Sequence, residues 1–272
     1  MSYISLLRAI EARELCRERV ISIGVTKRLM DAVELMVAHG VRHLLKVEGE
    51  DVAGVLSVRD VIEELSRDPG NVFSTKIGDV GSREIYWVPQ EASLMDTISA
   101  LAEKDIGVVA IWRENSILCF VGEKDIIRTA ARWDLRGRVY SAMSKDVRYL
   151  TPESTVSDAV RLMAREKVRH VPVVSSFGLI GMFTSRDLLN KLVGRTMEGV
   201  DELWLTSLEQ VASPNPLTID ASSPLNEALK IMRSFNVGSL LVMEYGELVG
   251  ILTERDVVKY IYKLIGGERI ES

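Results

Sequence analysis

A chain of 272 residues has room for one large domain or two of ordinary size. Its residues are 47% apolar and 27% charged, enough for a substantial core under a well-hydrated surface. The net charge of −5 and the pI near 5.5 argue against general attraction to a nucleic-acid backbone, which takes clustered Lys and Arg.

Cys16 and Cys119 are the two cysteines, and neither stands in a CxxC pair. This argues against a disulfide scaffold or a zinc ribbon and fits thiols kept reduced in the cytoplasm. Charged residues interrupt every long apolar stretch, so neither a signal peptide nor a membrane span is expected. Few Asn and Gln beside many charges is a composition found in thermophiles.

In chain order, residues 1–19 predict an amphipathic helix, with Arg8, Glu11, Arg13 and Glu14 among apolar positions. A first unit occupies 20–68. Its helix opens at Leu29-Met-Asp-Ala-Val, a strand runs from Val41 to Val47, and Glu48-Gly49 turns the chain. A second strand ends in Gly54-Val-Leu-Ser-Val-Arg-Asp60, and Val61-Ile62 continue as a helix. The same order returns over 75–133, with a helix from Leu94, a strand from Ile106 to Ile111, a turn at Glu114-Asn115 and the string Cys119-Phe-Val-Gly-Glu-Lys-Asp125. A charged connection, Arg128 to Met143, leads to the third unit at 139–194. Its helix opens at Val156, its strand runs from Val168 to Val174, and its string is Gly181-Met-Phe-Thr-Ser-Arg-Asp187. A helical insertion with Trp204 fills 195–213, and Ser213-Pro-Asn-Pro216 marks entry to the fourth unit at 214–265. There the helix opens at Leu225, the strand runs from Val237 to Met243, and the string is Gly250-Ile-Leu-Thr-Glu-Arg-Asp256. A frayed tail, 266–272, follows Gly266-Gly267.

The closing aspartates recur at intervals of 62 to 69 residues, so the chain reads as four copies of a β-α-β-β-α unit. The copies alternate. The first and third carry Val41-Arg-His43 and Val168-Arg-His170, where the second and fourth carry Ile106-Gly-Val108 and Val237-Gly-Ser239. This pattern implies duplication of a pair, with the pair as the folding unit.

The apolar–Arg–His–Val–Pro–Val run ending at Val173 and the Gly-x-x-Thr-x-Arg-Asp strings resemble cystathionine β-synthase-like (CBS) domains. Nearly the whole chain takes part in the resemblance. It implies an α/β fold of four CBS repeats paired into two Bateman modules, similar to the gamma subunit of AMP-activated protein kinase and its archaeal relatives. It also implies a non-catalytic regulatory role, because the repeats leave no room for a catalytic domain.

Thr253 and Asp256 have two readings. The hydroxyl and the carboxylate three residues on make a capping box, which satisfies orphan N–H groups at a helix start. A helix start also favours phosphate, and an Asp can accept from ribose hydroxyls. The resemblance carries this second role onto Ser57, Arg59 and Asp60, onto Thr184, Arg186 and Asp187, and onto Thr253, Arg255 and Asp256. Repeat two departs from the pattern, since Gly122 replaces the hydroxyl beside Asp125. An adenine slot is expected at Ser223, Ala228, Val237 and Gly238 in repeat four, and at Ser154, Ala159, Val168 and Arg169 in repeat three. Val41 and Arg42 correspond in repeat one, where Lys27 stands for the serine.

Arg42, His43, Arg169 and His170 are either solvated or salt-bridged at a strand start, or they reach the phosphate of a ligand in the neighbouring repeat. Arg suits that task through its bidentate fork. On the second reading Arg169 and His170 serve repeat four. Three scattered His and two Cys offer no metal constellation, His39 reads as a helix-end residue, and Met30, Met36, Met163 and Met232 read as core filler. The expected ligand is an adenine nucleotide (AMP, ADP or ATP), with S-adenosylmethionine or NADH as alternatives. The expected partner is a protein or a second copy, with the N-terminal helix and the Trp204 insertion as contact candidates. A ligand-free scaffold and a DNA-associated regulator are the competing functions, and no basic stretch favours the latter.

Overall fold

Short strands rich in Val, Leu and Ile pair locally because a two-residue turn brings them back on themselves. The computed structural model describes residues 3–17, 20–133 and 135–267, and in it each repeat is built on such a hairpin. The hairpins are His43–Glu48 with Asp51–Ser57, Val108–Arg113 with Ser116–Gly122, His170–Ser175 with Gly178–Thr184, and Ser239–Glu244 with Glu247–Thr253. All four are antiparallel, and all four shift register near the end of the first strand. At the last turn Tyr245 and Gly246 both have positive φ, as a two-residue hairpin turn requires.

A third strand completes each sheet. Ser22–Gly24, Trp87–Pro89 and Thr218–Asp220 add in parallel beside the first hairpin strand. Repeat three has only the single bridge Leu150–Val173 there, and its third strand is Ser213–Pro214 on the opposite edge. The chain is therefore mixed α/β with four three-stranded sheets, one for each repeat.

Two helices flank each hairpin. Their buried faces follow the 3.6-residue period, as with Leu29, Ala32, Val33 and Met36 in Leu29–His39. Gly40 closes that helix in the left-handed region. These faces pack between alternate repeats. Val58–Arg67 lies on Val156–Glu166, and Leu29–His39 on Ser185–Leu192. Likewise Glu254–Tyr262 lies on Leu94–Glu103, and Leu225–Ser234 on Glu123–Ala130. Two compact units result, one holding repeats one and three, the other repeats two and four with the N-terminal segment. Each has its own apolar core. Helix packing thus groups like copies, whereas the duplication pattern pointed to neighbours along the chain.

Neighbours are joined in another way: the segment opening each repeat packs on the repeat beside it. Residues 75–83, which open repeat two, bond to repeat one through Leu29 N–H to Thr75 O, Ile77 N–H to Lys27 O and Val55 N–H to Ser82 O. Residues 137–144, at the opening of repeat three, bond to repeat four through Leu225 N–H to Gly137 O and Ile251 N–H to Ser144 O. Residues 206–214, ahead of repeat four, bond to repeat three through Val156 N–H to Thr206 O and Leu208 N–H to Ser154 O. The N-terminal segment, ahead of repeat one, bonds to repeat two through Leu94 N–H to Ile10 O and Ala12 N–H to Ala92 O.

That segment is a helix, Tyr3–Ala9, and a tight turn, Ala12–Leu15, with Leu7, Ala12 and Leu15 buried in the two–four core. The expected helix over 1–19 is shorter, and its last residues lie outside those described, as do residues 268–272 of the expected tail. The insertion forms Met197–Leu205 and Leu208–Val211, with Trp204 in the one–three core. Cys16 and Cys119 are joined in a disulfide, their Cα atoms 5.7 Å apart. This corrects the expectation of reduced thiols: packing of the N-terminal segment on repeat two brings together residues 103 apart in sequence. No helix of the described residues is long and apolar enough to cross a membrane.

Candidate functional site

The second helix of each repeat starts where the hairpin ends, so its cap faces the start of the first hairpin strand. In repeat one Val58 N–H donates to Arg42 O, in repeat three Ser185 N–H to Arg169 O, and in repeat four Glu254 N–H to Gly238 O. Ser57, Thr184 and Thr253 are thereby set beside Arg42, Arg169 and Gly238. The structure brings these two sequence-distant groups of expected site residues together within each repeat.

The capping boxes are present. Thr253 N–H and Oγ1–H both donate to Oδ2 of Asp256, at 2.7 and 2.6 Å, while Asp256 N–H donates to Thr253 Oγ1 at 3.3 Å. Thr184 and Asp187 repeat the pattern at 2.8, 2.7 and 3.2 Å. Ser57 N–H and Oγ–H donate to Asp60 Oδ2 at 2.6 and 2.8 Å, and Gly122 donates only its N–H to Asp125. One oxygen of each aspartate is thus engaged by its cap. In two of them the other oxygen faces the opening segment: Oδ1 of Asp256 accepts from Ser144 Oγ at 2.7 Å, and Oδ1 of Asp187 from Ser213 Oγ at 3.4 Å, whereas Oδ1 of Asp125 lies 3.5 Å from Arg128 Nη1. Burial raises the pKa of Asp256, against the pull of these hydrogen bonds and of Lys259. Sequence reasoning missed both serines, although each stands in the segment opening a repeat.

The basic residues divide between the units. In the one–three unit His170 is half-buried, and its pKa is pressed well below the usual imidazole range by desolvation, then by Arg169, Arg42 and Arg186. Between repeats one and three a cavity of about 100 Å³ is lined by Val41, Arg42, Ser185, Arg186 and Asn190 over an apolar floor that includes Met36 and Leu189. In the two–four unit Arg255, at the position matching Arg186, is instead held by carboxylates. Its Nε donates to Glu123 at 2.8 Å and its Nη1 to Asp105 at 3.1 Å. Glu123 and Glu254 are both buried.

The expected slot residues have these surroundings. Ala159 and Ala228 are fully buried in the cores, under their helices. Ser154 and Ser223 meet the opening segments through their carbonyls, which accept from Leu208 and Val139 N–H. Val168 and Val237 pack at the rims of the cores, with their N–H groups closing the first helices on Met163 and Met232.

Four three-stranded sheets with capped second helices define a CBS-repeat protein, and the family model describing the CBS domain matches residues 12–67, 77–132, 138–194 and 208–263. The chain belongs to the CBS domain family. Its relatives include an uncharacterized 33.4 kDa protein in the ribosomal RNA operon of Thermofilum pendens, 26% identical over 265 residues, covering 89% of this chain and 88% of that protein. Another is protein MJ1225 of Methanocaldococcus jannaschii, 23% identical over 268 residues, covering 89% of this chain and 95% of that protein. The crystal structure of MJ1225, proposed there as an archaeal homolog of g-AMPK, superposes with a TM-score of 0.82 at 22% identity, over 93% of this chain and all of that one. An uncharacterized conserved protein of Pyrococcus horikoshii shares the fold, with a TM-score of 0.65 at 15% identity over 93% of this chain and all of that one.

Proposed function

We propose that the chain is a non-catalytic regulatory module that binds adenine nucleotides at clefts between its repeats and relays their presence to a protein partner. One observation carries this reading: Arg42 and Arg186 line the cavity between repeats one and three, and with Arg169 they act on half-buried His170. Arginines grouped at a cavity favour an anion, and a nucleotide phosphate supplies one with oxygens that fit the guanidinium fork. Ser57 with Asp60 and Thr184 with Asp187 are the hydroxyl–carboxylate pairs for phosphate and ribose. In repeat four, Thr253, Asp256, Val237 and Gly238 form the corresponding set, with Ser144 competing for the carboxylate. The likeness to MJ1225 supports a role of the AMP-activated kinase gamma type.

A thermal-shift panel of AMP, ADP, ATP, S-adenosylmethionine and NADH tests this. A ligand at one hundred times its Kd stabilises by about 2.7 kcal/mol. The reading predicts a shift with at least one adenine nucleotide that falls sharply in Arg186→Gln and Asp187→Ala. A shift indifferent to both substitutions places the ligand elsewhere. No shift with any compound favours a ligand-free scaffold, a second reading supported by the capping boxes, which already employ each aspartate structurally.

A further inference from the structure

Four equivalent contacts hold the opening segments, and one of them is built differently. In repeats one, three and four the closing string begins with Gly54, Gly181 or Gly250, and the segment lying across it presents Ser82, Ser213 or Ser144. Glycine keeps these contacts close, and at Gly54 no other residue fits. A Cβ on Gly54 would stand 2.0 Å from Ser82 O, one on Gly181 3.0 Å from Ser213 O, and one on Gly250 3.1 Å from Ser144 O. The close approach lets backbone bond to backbone, as in Ser82 N–H to Val55 O at 3.1 Å and Ser144 N–H to Ile251 O at 2.9 Å.

In repeat two the glycine position is Cys119; the serine position is Arg17, and Cys16 stands one residue before it, where the other segments carry Gly81, Ala212 and Met143. Among the described residues no backbone bridge joins these two segments, and the disulfide stands in its place. Cys119 is buried and Cys16 half-buried, so an attacking thiolate has a path to the Cys16 sulfur. We propose that Cys16–Cys119 is a reversible redox site whose state sets whether the N-terminal segment stays docked on repeat two. A dithiol reductant supplies both electrons. One of its thiolates attacks Sγ of Cys16, the S–S bond breaks, and Cys119 leaves as a thiolate and takes a proton. The second thiolate then attacks the mixed disulfide, releasing Cys16 as a thiol and leaving the reductant as a cyclic disulfide. The reduced segment keeps Leu7, Ala12 and Leu15 as its anchors but has neither the covalent bond nor the glycine-dependent bridge of the other three repeats.

Hydrogen exchange of the full chain, air-oxidised and then treated with dithiothreitol, tests this, with the thiols counted by mass spectrometry. Reduction is expected to speed exchange about tenfold or more at residues 10–16 and 92–94, with no change at 152–156 and 206–212, where the serine–glycine form serves. Resistance of the bond to dithiothreitol overturns the proposal, as does reduction without local change or with loss of the whole fold. The triple variant Cys16→Ala, Arg17→Ser and Cys119→Gly rebuilds the contact as it stands in repeat three, with Ala212, Ser213 and Gly181. It is expected to show oxidised-level protection with or without reductant; protection as low as in the reduced native chain refutes the equivalence of the four contacts.

Discussion

The two compact units share a plan and differ in how they treat charge at one position. Where the second helix starts, the one–three unit has Val58 and Ser185, and the two–four unit has Glu123 and Glu254. The next residue is basic in every repeat: Arg59, Lys124, Arg186 and Arg255. In the two–four unit Arg255 is folded onto Glu123 and Asp105, so its charge is spent inside the protein. In the one–three unit Arg186 lies beside a cavity and acts on His170 along with two further arginines. The same guanidinium is a structural tie in one unit and part of a cation cluster in the other, and the residue opening the second helix of the partner repeat, Glu123 in one unit and Val58 in the other, makes the difference.

Matched substitutions break this comparison most severely. Arg255→Gln leaves Glu123, only 4% exposed, without its main cation, and is expected to cost about 3 kcal/mol in urea unfolding. Arg186→Gln removes one of several like charges and is expected to leave the stability of the ligand-free protein unchanged or raised. Equal losses from the two would mean that the units do not differ in this way.

The cation cluster also makes a pH prediction. The folded-state pKa of His170 is depressed, so below about pH 6.5 the unfolded chain binds a proton that the folded chain refuses. Stability of the one–three unit therefore falls as pH drops from 7 toward 5, and His170→Gln flattens that slope. An anion among the arginines lowers the cost of protonating His170, so nucleotide binding is expected to take up protons and to strengthen over the same range. Calorimetry in buffers of different ionisation enthalpy reads that uptake.

A smaller effect sharpens the likeness of the units. Thr253→Ala and Thr184→Ala each remove a helix cap and are expected to cost about 1 kcal/mol. If the hydroxyls also meet phosphate, only the ligand-bound protein shows a further loss, and the two contributions separate in unfolding curves taken with and without nucleotide.

The repeat itself was legible because it rests on local signals: the period of the helix faces, the turn residues and the cap strings. What escaped depends on contacts between segments distant in sequence. Nothing near Arg255 announces Glu123, which lies 132 residues away. Lys46, within the strand of repeat one, is buried and its Nζ donates to Val80 O at 2.6 Å, holding an opening segment that the repeat pattern alone does not place. Burial lowers its pKa. Ala159 and Ala228, expected beside a slot, lie in the cores, where a small residue in a helix face lets a neighbouring helix approach. The disulfide was hidden in the same way, since its partners match only when the N-terminal segment is aligned with the openings of the later repeats.

The outermost ion pair isolates the anchor of the two–four network. Lys259 Nζ lies 2.8 Å from Asp105, but both side chains are about half exposed. Water and salt screen such a pair, so Lys259→Ala is expected to change stability by about 0.5 kcal/mol or less, and by less still in 1 M salt. Asp105 remains bonded to Arg255 in that variant, and Arg255 to Glu123. A loss near that of Arg255→Gln would mean that the exposed lysine, rather than the buried glutamate, fixes the guanidinium, and the contrast between the two units would then rest on surface charge.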